Sequence, residues 1–427
     1  MRVLVIGGGA REHALVARFR TDPDVRDVIC APGNPGIARA ARTAPLDVAD
    51  VDAAAALAEH ERIDLTVVGP ELPLGKGIVD RFARDGRLIV GPTAGAARLE
   101  TSKAFAKDFM ARHRVPTARF RVCDSAADAA ARVGSGEFGF PVVLKADGLA
   151  AGKGVVIAED RSTADAAIAA AMRDRVFGTA GDRLVIEEHL TGPEVSFFVV
   201  SDGRRAATIG SAQDHKRIFD EDQGPNTGGM GAFAPSPLVD AALEARVTRE
   251  IVEPVISGMA SEGHPFCGFL YCGLMLTTDG PKVIEFNARL GDPEAQVTLP
   301  LIDEPLAPLL AGAARGSLQL SVVRRGADRL TGVVLASRGY PASFSPGQAI
   351  EGIDAAEAIQ GVTVYHAGTA LRDGRLVTAG GRVLTVVGRG DDFAESIARA
   401  YTGVMQISFD GMQFRHDIGR SALKSEL

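Results

Sequence analysis

Over the first hundred residues, short apolar runs that stop at glycine or proline alternate with segments of helical spacing. RVLVIG (Arg2–Gly7) reads as a strand, EHALVARFR as a helix, and DVIC (Asp27–Cys30) as a second strand stopped by APGNPG. VDAAAALAEHERI is helical, DLTVVGP (Asp64–Pro70) is a third strand, GIVDRFARDG a helix and RLIVGP (Arg87–Pro92) a fourth strand. Glycines directly after strands in a βαβα series predict a parallel doubly wound sheet. Ligands of such sheets collect at the carboxyl ends of the strands, so Gly7–Ala10, Gly33–Gly36 and Gly69–Glu71 are expected to line one crevice.

The pattern then changes. Thr101–His113 has helical spacing with Thr101 or Ser102 as the expected cap. From Pro116 to about Leu190, strands at FPVVLKA, GVVIAE and RLVIEEHL surround an Ala-rich helix, which predicts a small α+β subdomain. Strands at EVSFFVVSDG, RRAATIG, YCGLMLTTDG and KVIEFN follow, with a Gly-rich loop expected over 220–231. Short strands and a helix at DFAESIARAYTGVM suggest a compact C-terminal domain. The expected division is therefore an α/β protein of three units. They are an N-terminal parallel-sheet domain (1–102), a central domain (103–320, with the small subdomain at about 116–190) and a C-terminal domain (321–427).

Composition narrows the function. The length of 427 residues suits two or three domains. A net charge of −7 without a basic stripe argues against nucleic-acid binding. No run approaches the ~20 apolar residues that cross a bilayer, and the charged residues just after the first strand favour a buried strand over a signal peptide. Scattered Cys30, Cys123, Cys267 and Cys272 read as reduced thiols of a cytosolic protein. There are only eight lysines against 39 arginines, yet Lys103, Lys145, Lys153 and Lys216 all fall in Gly-rich or otherwise unusual segments. A compact ammonium suits a crowded phosphate.

Three segments carry candidate chemistry. The N-terminal glycines are not a dinucleotide fingerprint, because Glu12 stands where the third glycine is needed and no acid ends the second strand. Anion binding at the helix start remains open, beside a plain tight turn. KADGLAAGKGV (Lys145–Val155) is not a Walker A loop, since its spacer is short and Gly154 replaces the Ser or Thr. It reads as a strand followed by a loop able to fold over a triphosphate, or as an ordinary hairpin. In KVIEFNARLGDPEAQ, Glu285 and Asn287 leave one face of a strand. Two such oxygens fit a hard cation whose shell is completed by phosphates and water; a chance pair on an edge strand is the alternative. If that strand continues, Arg289 shares the face. The consecutive acids of LVIEEHL should point to opposite sides, and Asp214–Arg217 is too polar for a core strand.

Taken together, IGGGAREHAL, APGNPG, VVGPELPL, GPTAGAARLETSKAF, KADGLAAGKGV, QDHKR with GPNTGGMGA, and GFLYCGLM with KVIEFNARLGDPE closely resemble the phosphoribosylamine–glycine ligase family. These are the glycinamide ribonucleotide synthetases of purine biosynthesis, within the ATP-grasp superfamily. YHAGT and TAGGRVLTV extend the resemblance into the C-terminal region. It implies ATP-dependent joining of glycine to 5-phosphoribosylamine through a glycyl phosphate. Lys103, Lys145, Gly152, Lys153 and Gly154 would meet the ATP phosphates. Glu187, Leu190 and Glu194 would hold adenine and ribose, and Glu285 and Asn287 would bind Mg²⁺ or Mn²⁺. Asp214, Arg289 and Lys145 would act in catalysis, with Asp214, Arg289, Gly229 and Met230 placing glycine. Gly8, Gly9, Pro70 and Glu71 would hold phosphoribosylamine. A cytoplasmic monomer handling only small molecules, without nucleic acid or membrane, is expected. A silent nucleotide-binding scaffold, or an ATP-grasp ligase for formate or bicarbonate, are the competing readings.

Overall fold

The computed structural model describes residues 1–148, 154–319 and 322–424. Five strands, β1 (Arg2–Gly7), β2 (Asp27–Pro32), β3 (Arg42–Thr43), β4 (Leu65–Val68) and β5 (Ile89–Val90), form a parallel sheet in the order β3-β2-β1-β4-β5. The run RLIVGP contributes only Ile89 and Val90 to it. Val3 and Val5 belong to one core with Ala14 and Leu15 of the helix Ala10–Arg20. Leu4 and Ile6 belong to another with Ala54, Ala58 and Phe82. Period-two alternation with helices on both faces explains why the whole strand is apolar.

The helix expected over 101–113 is present as Lys103–Arg112, with a separate helix before it. Ala94–Thr101 ends at Thr101, and Ser102 caps Lys103–Arg112 by accepting from Phe105 N at 3.1 Å. Thr101 is therefore not the cap. A small antiparallel sheet follows, made of β6 (Phe120–Cys123), β7 (Val142–Ala146), β8 (Val155–Ala158) and β9 (Leu184–Glu188) in the order β6-β9-β7-β8. Helices Ala126–Gly134 and Arg161–Ile168 close its own apolar core around Leu144, Ile186 and Ile168.

The remaining strands are β10 (Glu194–Asp202), β11 (Ala206–Asp214), β12 (Arg217–Phe219), β13 (Gln223–Asn226), β14 (Gly231–Ala234), β15 (Cys267–Thr277), β16 (Gly280–Asn287), β17 (Arg329–Ala336), β18 (Val362–His366), β19 (Thr369–Arg372), β20 (Arg375–Thr378) and β21 (Arg382–Gly390). Eight of them make one antiparallel sheet, β16-β15-β10-β11-β14-β17-β21-β18. Of the C-terminal strands, β17, β21 and β18 thus continue the long sheet, β17 pairing with β14, Gly231 opposite Val333 through Ala234 opposite Leu330, while β19 and β20 form a separate two-stranded sheet. Two expectations change here. Asp214 is the last residue of β11, and the segment expected as a loop over 220–231 contains β13 paired to β12. Phe198 and Val200 of β10 share a core with β1, and Phe197 and Val199 share the other. The N-terminal sheet is therefore fastened to the long sheet by continuous apolar packing. Among the described residues no helix is long and apolar enough to cross a membrane.

Candidate active site

The glycines after β1 and β4 face one another across Glu12. This buried carboxylate accepts Gly9 N at 2.6 Å and Arg11 Nε at 2.8 Å. A Cβ at Gly69 would lie 1.9 Å from Glu12 Oε1, so only glycine fits there. The residue that excludes a dinucleotide fingerprint is thus the brace between two loops. Gly8 and Gly9 lie half-buried at the rim with Pro70 and Glu71, which begin the short helix Glu71–Gly75. Asn34 of APGNPG donates to Gly8 O at 3.0 Å and to His366 O at 2.8 Å.

Two lysines converge on one carboxylate of the small sheet. Lys145, on β7, is buried, with Nζ 3.1 Å from the Glu187 carboxylate and 3.1 Å from Ile284 O on β16. Lys107 closes on the same carboxylate at 2.8 Å. Burial pulls the Lys107 ammonium down to about 8, against the opposing pull of Glu187. Lys103 donates to Gly148 O at 3.1 Å. Gly152 and Lys153 lie outside the described residues, while Gly154 accepts Ala146 N at 2.8 Å. Glu188 points away from Glu187, to Arg119 at 2.6 Å, as strand alternation requires. Leu190, half-buried, lies just past β9.

Glu285 and Asn287 project from the face of β16 opposite buried Val283 and Phe286. The Glu285 carboxyl lies low: burial opposes ionisation but is outweighed by Lys216, Lys103, Lys145 and Arg289. Carboxylate and amide oxygens side by side suit a hard cation. Among the described residues no three His, Cys, Asp or Glu gather as a cage. Asp214 is pushed up to about 7 by burial, against Lys216, with Glu294, Glu194 and Glu285 adding to the rise. Lys216 bonds Glu194 and stays well above the ordinary lysine range; burial opposes this, but Asp214 and Glu194 prevail.

β16 ends at Asn287, so Arg289 does not share its face. The guanidinium lies 3.4 Å from Glu71 and 3.0 Å from Glu100, and Glu100 also accepts Ala288 N at 2.7 Å. Gly229 sits at φ +111°, and Met230 is buried with its N–H on His215 O at 2.8 Å. Sequence reasoning missed Lys107, Glu100 and Glu294. Lys107 carried a signal, standing one helical turn from Lys103 in a lysine-poor chain. Glu294 accepts from Ser196 Oγ at 3.2 Å, and burial raises its carboxyl.

Three sequence profiles match the chain in order. Phosphoribosylglycinamide synthetase N domain covers residues 1–100, its ATP-grasp (A) domain 101–295, and its C domain 330–421. A phosphoribosylamine–glycine ligase of Xylella fastidiosa is 48% identical over all of this chain and 99% of its own length. One from Pseudomonas aeruginosa is 46% identical with the same coverage. The crystal structure of phosphoribosylamine–glycine ligase from Thermotoga maritima superposes with a TM-score of 0.84 at 32% identity, covering 98% of this chain and 100% of that one. Biotin carboxylase from Campylobacter jejuni, at 16% identity and a TM-score of 0.74 over 99% of this chain and 95% of its own, shares the fold. With three family domains matched in sequence order over most of its length and nearly half the residues shared with relatives end to end, the chain belongs to the phosphoribosylglycinamide synthetase family.

Proposed function

We propose that this crevice joins glycine to 5-phosphoribosylamine at the expense of ATP, giving glycinamide ribonucleotide, ADP and phosphate for purine biosynthesis. The γ-phosphoryl group passes to a glycine carboxylate oxygen. The phosphoribosylamine nitrogen then attacks the carbonyl carbon, the C–O bond to phosphate breaks, and the nitrogen gives up a proton. Phosphoryl transfer asks the protein for position and charge neutralisation, which suits a site rich in cations.

Lys103, Lys145 and the Gly152–Gly154 segment with Lys153 take the ATP phosphates. Backbone around Glu187 and Leu190 takes the adenine edge, and Glu194 the ribose; the Glu187 side chain is committed to Lys107 and Lys145. Glu285 and Asn287 would hold Mg²⁺ or Mn²⁺, which would supply charge neutralisation for the ATP phosphates. Asp214, Arg289, Gly229 and Met230 place glycine, and Gly8, Gly9, Pro70 and Glu71 hold phosphoribosylamine. Asp214, near 7, is suited to receive the amine proton.

The observation that carries this reading is the bond from Lys145 to the carbonyl of Ile284, the residue before Glu285. It brings Lys145, proposed for the phosphates, to the strand that carries Glu285 and Asn287. The unit from 116 to 190 serves as a lid that shields the labile acyl phosphate from water. The functional units are 1–102, 103–320 and 321–427, in a cytoplasmic monomer. Phosphate release from ATP that requires both glycine and phosphoribosylamine tests the activity. Release with formate or bicarbonate in place of glycine, or none with any substrate, would overturn it. Sedimentation velocity tests the monomer.

A further inference from the structure

The turn that carries Gly229 is gripped by two side chains from the C-terminal region. Arg382, at the start of β21, sends Nη1 to Gly228 O and to Asp292 O, both at 2.6 Å, with Gly229 O at 3.4 Å. Its Nη2 lies 3.5 Å from the Asp292 carboxylate. Tyr340 Oη accepts Gly228 N at 2.9 Å. Gly229 itself meets Pro293: a Cβ there would lie 2.4 Å from Pro293 Cδ. Two loops are therefore in contact, and one guanidinium bonds both.

These loops are not arbitrary. One leads from the cation pair, Asp292 standing five residues past Asn287. The other leads into Met230 and β14, where Ala232 pairs with Asp214. Nη1 has two hydrogens and spends both on carbonyls of different loops, so the gap between the loops is set by Arg382. A lysine ammonium lacks the planar fork that reaches the carbonyls and the carboxylate together.

We propose that Arg382 is a positioning residue for glycine. It locks the Gly228–Gly229 turn against the Asp292–Pro293 loop, so that the turn's backbone is preset to receive the amino acid. The proposal rests on the reading that Asp214 and the Gly229 turn hold glycine. Misplacement by a fraction of an ångström weakens alignment of the carboxylate with the phosphoryl group and leaves the ATP subsite untouched.

The test uses the full chain and varies each substrate in turn. Arg382→Ala should raise the KM for glycine at least about tenfold, with the KM for ATP within about twofold. Arg382→Lys should recover part of the loss, and Tyr340→Phe should shift glycine KM a few-fold in the same direction. Asp214→Asn reports on the underlying reading. If it raises glycine KM while Arg382→Ala does not, the positioning role is wrong and the glycine site stands. If neither variant moves glycine KM, the site reading falls and takes the proposal with it. Equal rises for all three substrates, or a lower kcat alone, would make Arg382 a structural tie and overturn the proposal. Should Arg382→Ala fail to fold, Arg382→Lys and Tyr340→Phe decide by the same criterion.

Discussion

Lys145 and Glu187 sit one diagonal step apart across β7 and β9, ammonium 3.1 Å from carboxylate, and Lys107 closes the triangle from the neighbouring helix at 2.8 Å. Both lysines and the acid are at least nine-tenths buried. Glu187→Gln leaves two buried ammoniums facing a neutral amide. Breaking a buried pair costs about 3–5 kcal/mol, so the variant should melt well below the parent and need more ATP. Differential scanning calorimetry with ATP titration checks this; an unchanged melting temperature would mean that water reaches the lysines.

Glu285→Ala should cut turnover by about 10³ or more, as loss of a charge-stabilising group at a phosphoryl-transfer site does. The residue sits among four cations, so its loss also raises their mutual repulsion. A modest fall in melting temperature is expected, together with loss of the extra stability that metal–ATP gives the parent. Thermal shift with and without metal–ATP measures both. Retained stabilisation by metal–ATP would remove Glu285 from the cation site.

Arg289→Lys should lower kcat by about 10², because a point charge cannot serve Glu71 and Glu100 together. Glu100 is also the acceptor for Ala288 N, next to Asn287. Glu100→Gln, which keeps that bond but loses the charge, should show a milder fall in kcat. Steady-state kinetics on the two variants ranks them; the reverse order would make Arg289 dispensable.

Acid should destabilise the fold through its buried histidines. Burial and the His366 ring hold His13 down to about 3; burial holds His366 and, with Arg415, His215 down to about 4. His13 Nδ1 accepts His366 N at 2.9 Å, which requires a neutral ring. Between these values and the ordinary 6.5, the unfolded chain binds more protons, so stability rises with pH. The contribution is complete above about 6.5 and is lost as pH falls toward the folded values, by up to about 1.4 kcal/mol per pH unit per histidine. His13→Asn keeps an acceptor and cannot titrate; its urea midpoint should fall less between pH 6.5 and 5. Identical slopes would exonerate His13.

Much of this was readable in the chain because the signals were local. Glycines after strands marked the crevice, and spacing by two put Glu285 and Asn287 on one face. What escaped depended on distant partners. The strand bearing Asn287 ends there because Glu100, nearly two hundred residues earlier, takes Ala288 N, and so Arg289 turns to the N-terminal acids. Lys107 meets Glu187 only because β9, some eighty residues on, lies against its helix. Nothing near Arg382 in sequence announces Gly228 or Asp292. The pairing of β14 with β17 likewise joins segments about a hundred residues apart, which no periodicity reveals.

That last pairing has a cost for anyone dividing the protein. A cut between Ala234 and Arg329 that removes everything after it strips β14 of its outer neighbour and bares a row of unpaired amide and carbonyl groups along a buried apolar strand, an adhesive edge. The excised C-terminal fragment would carry the complementary raw edge on β17. Two co-expressed halves severed between those strands would re-form the native ladder or precipitate.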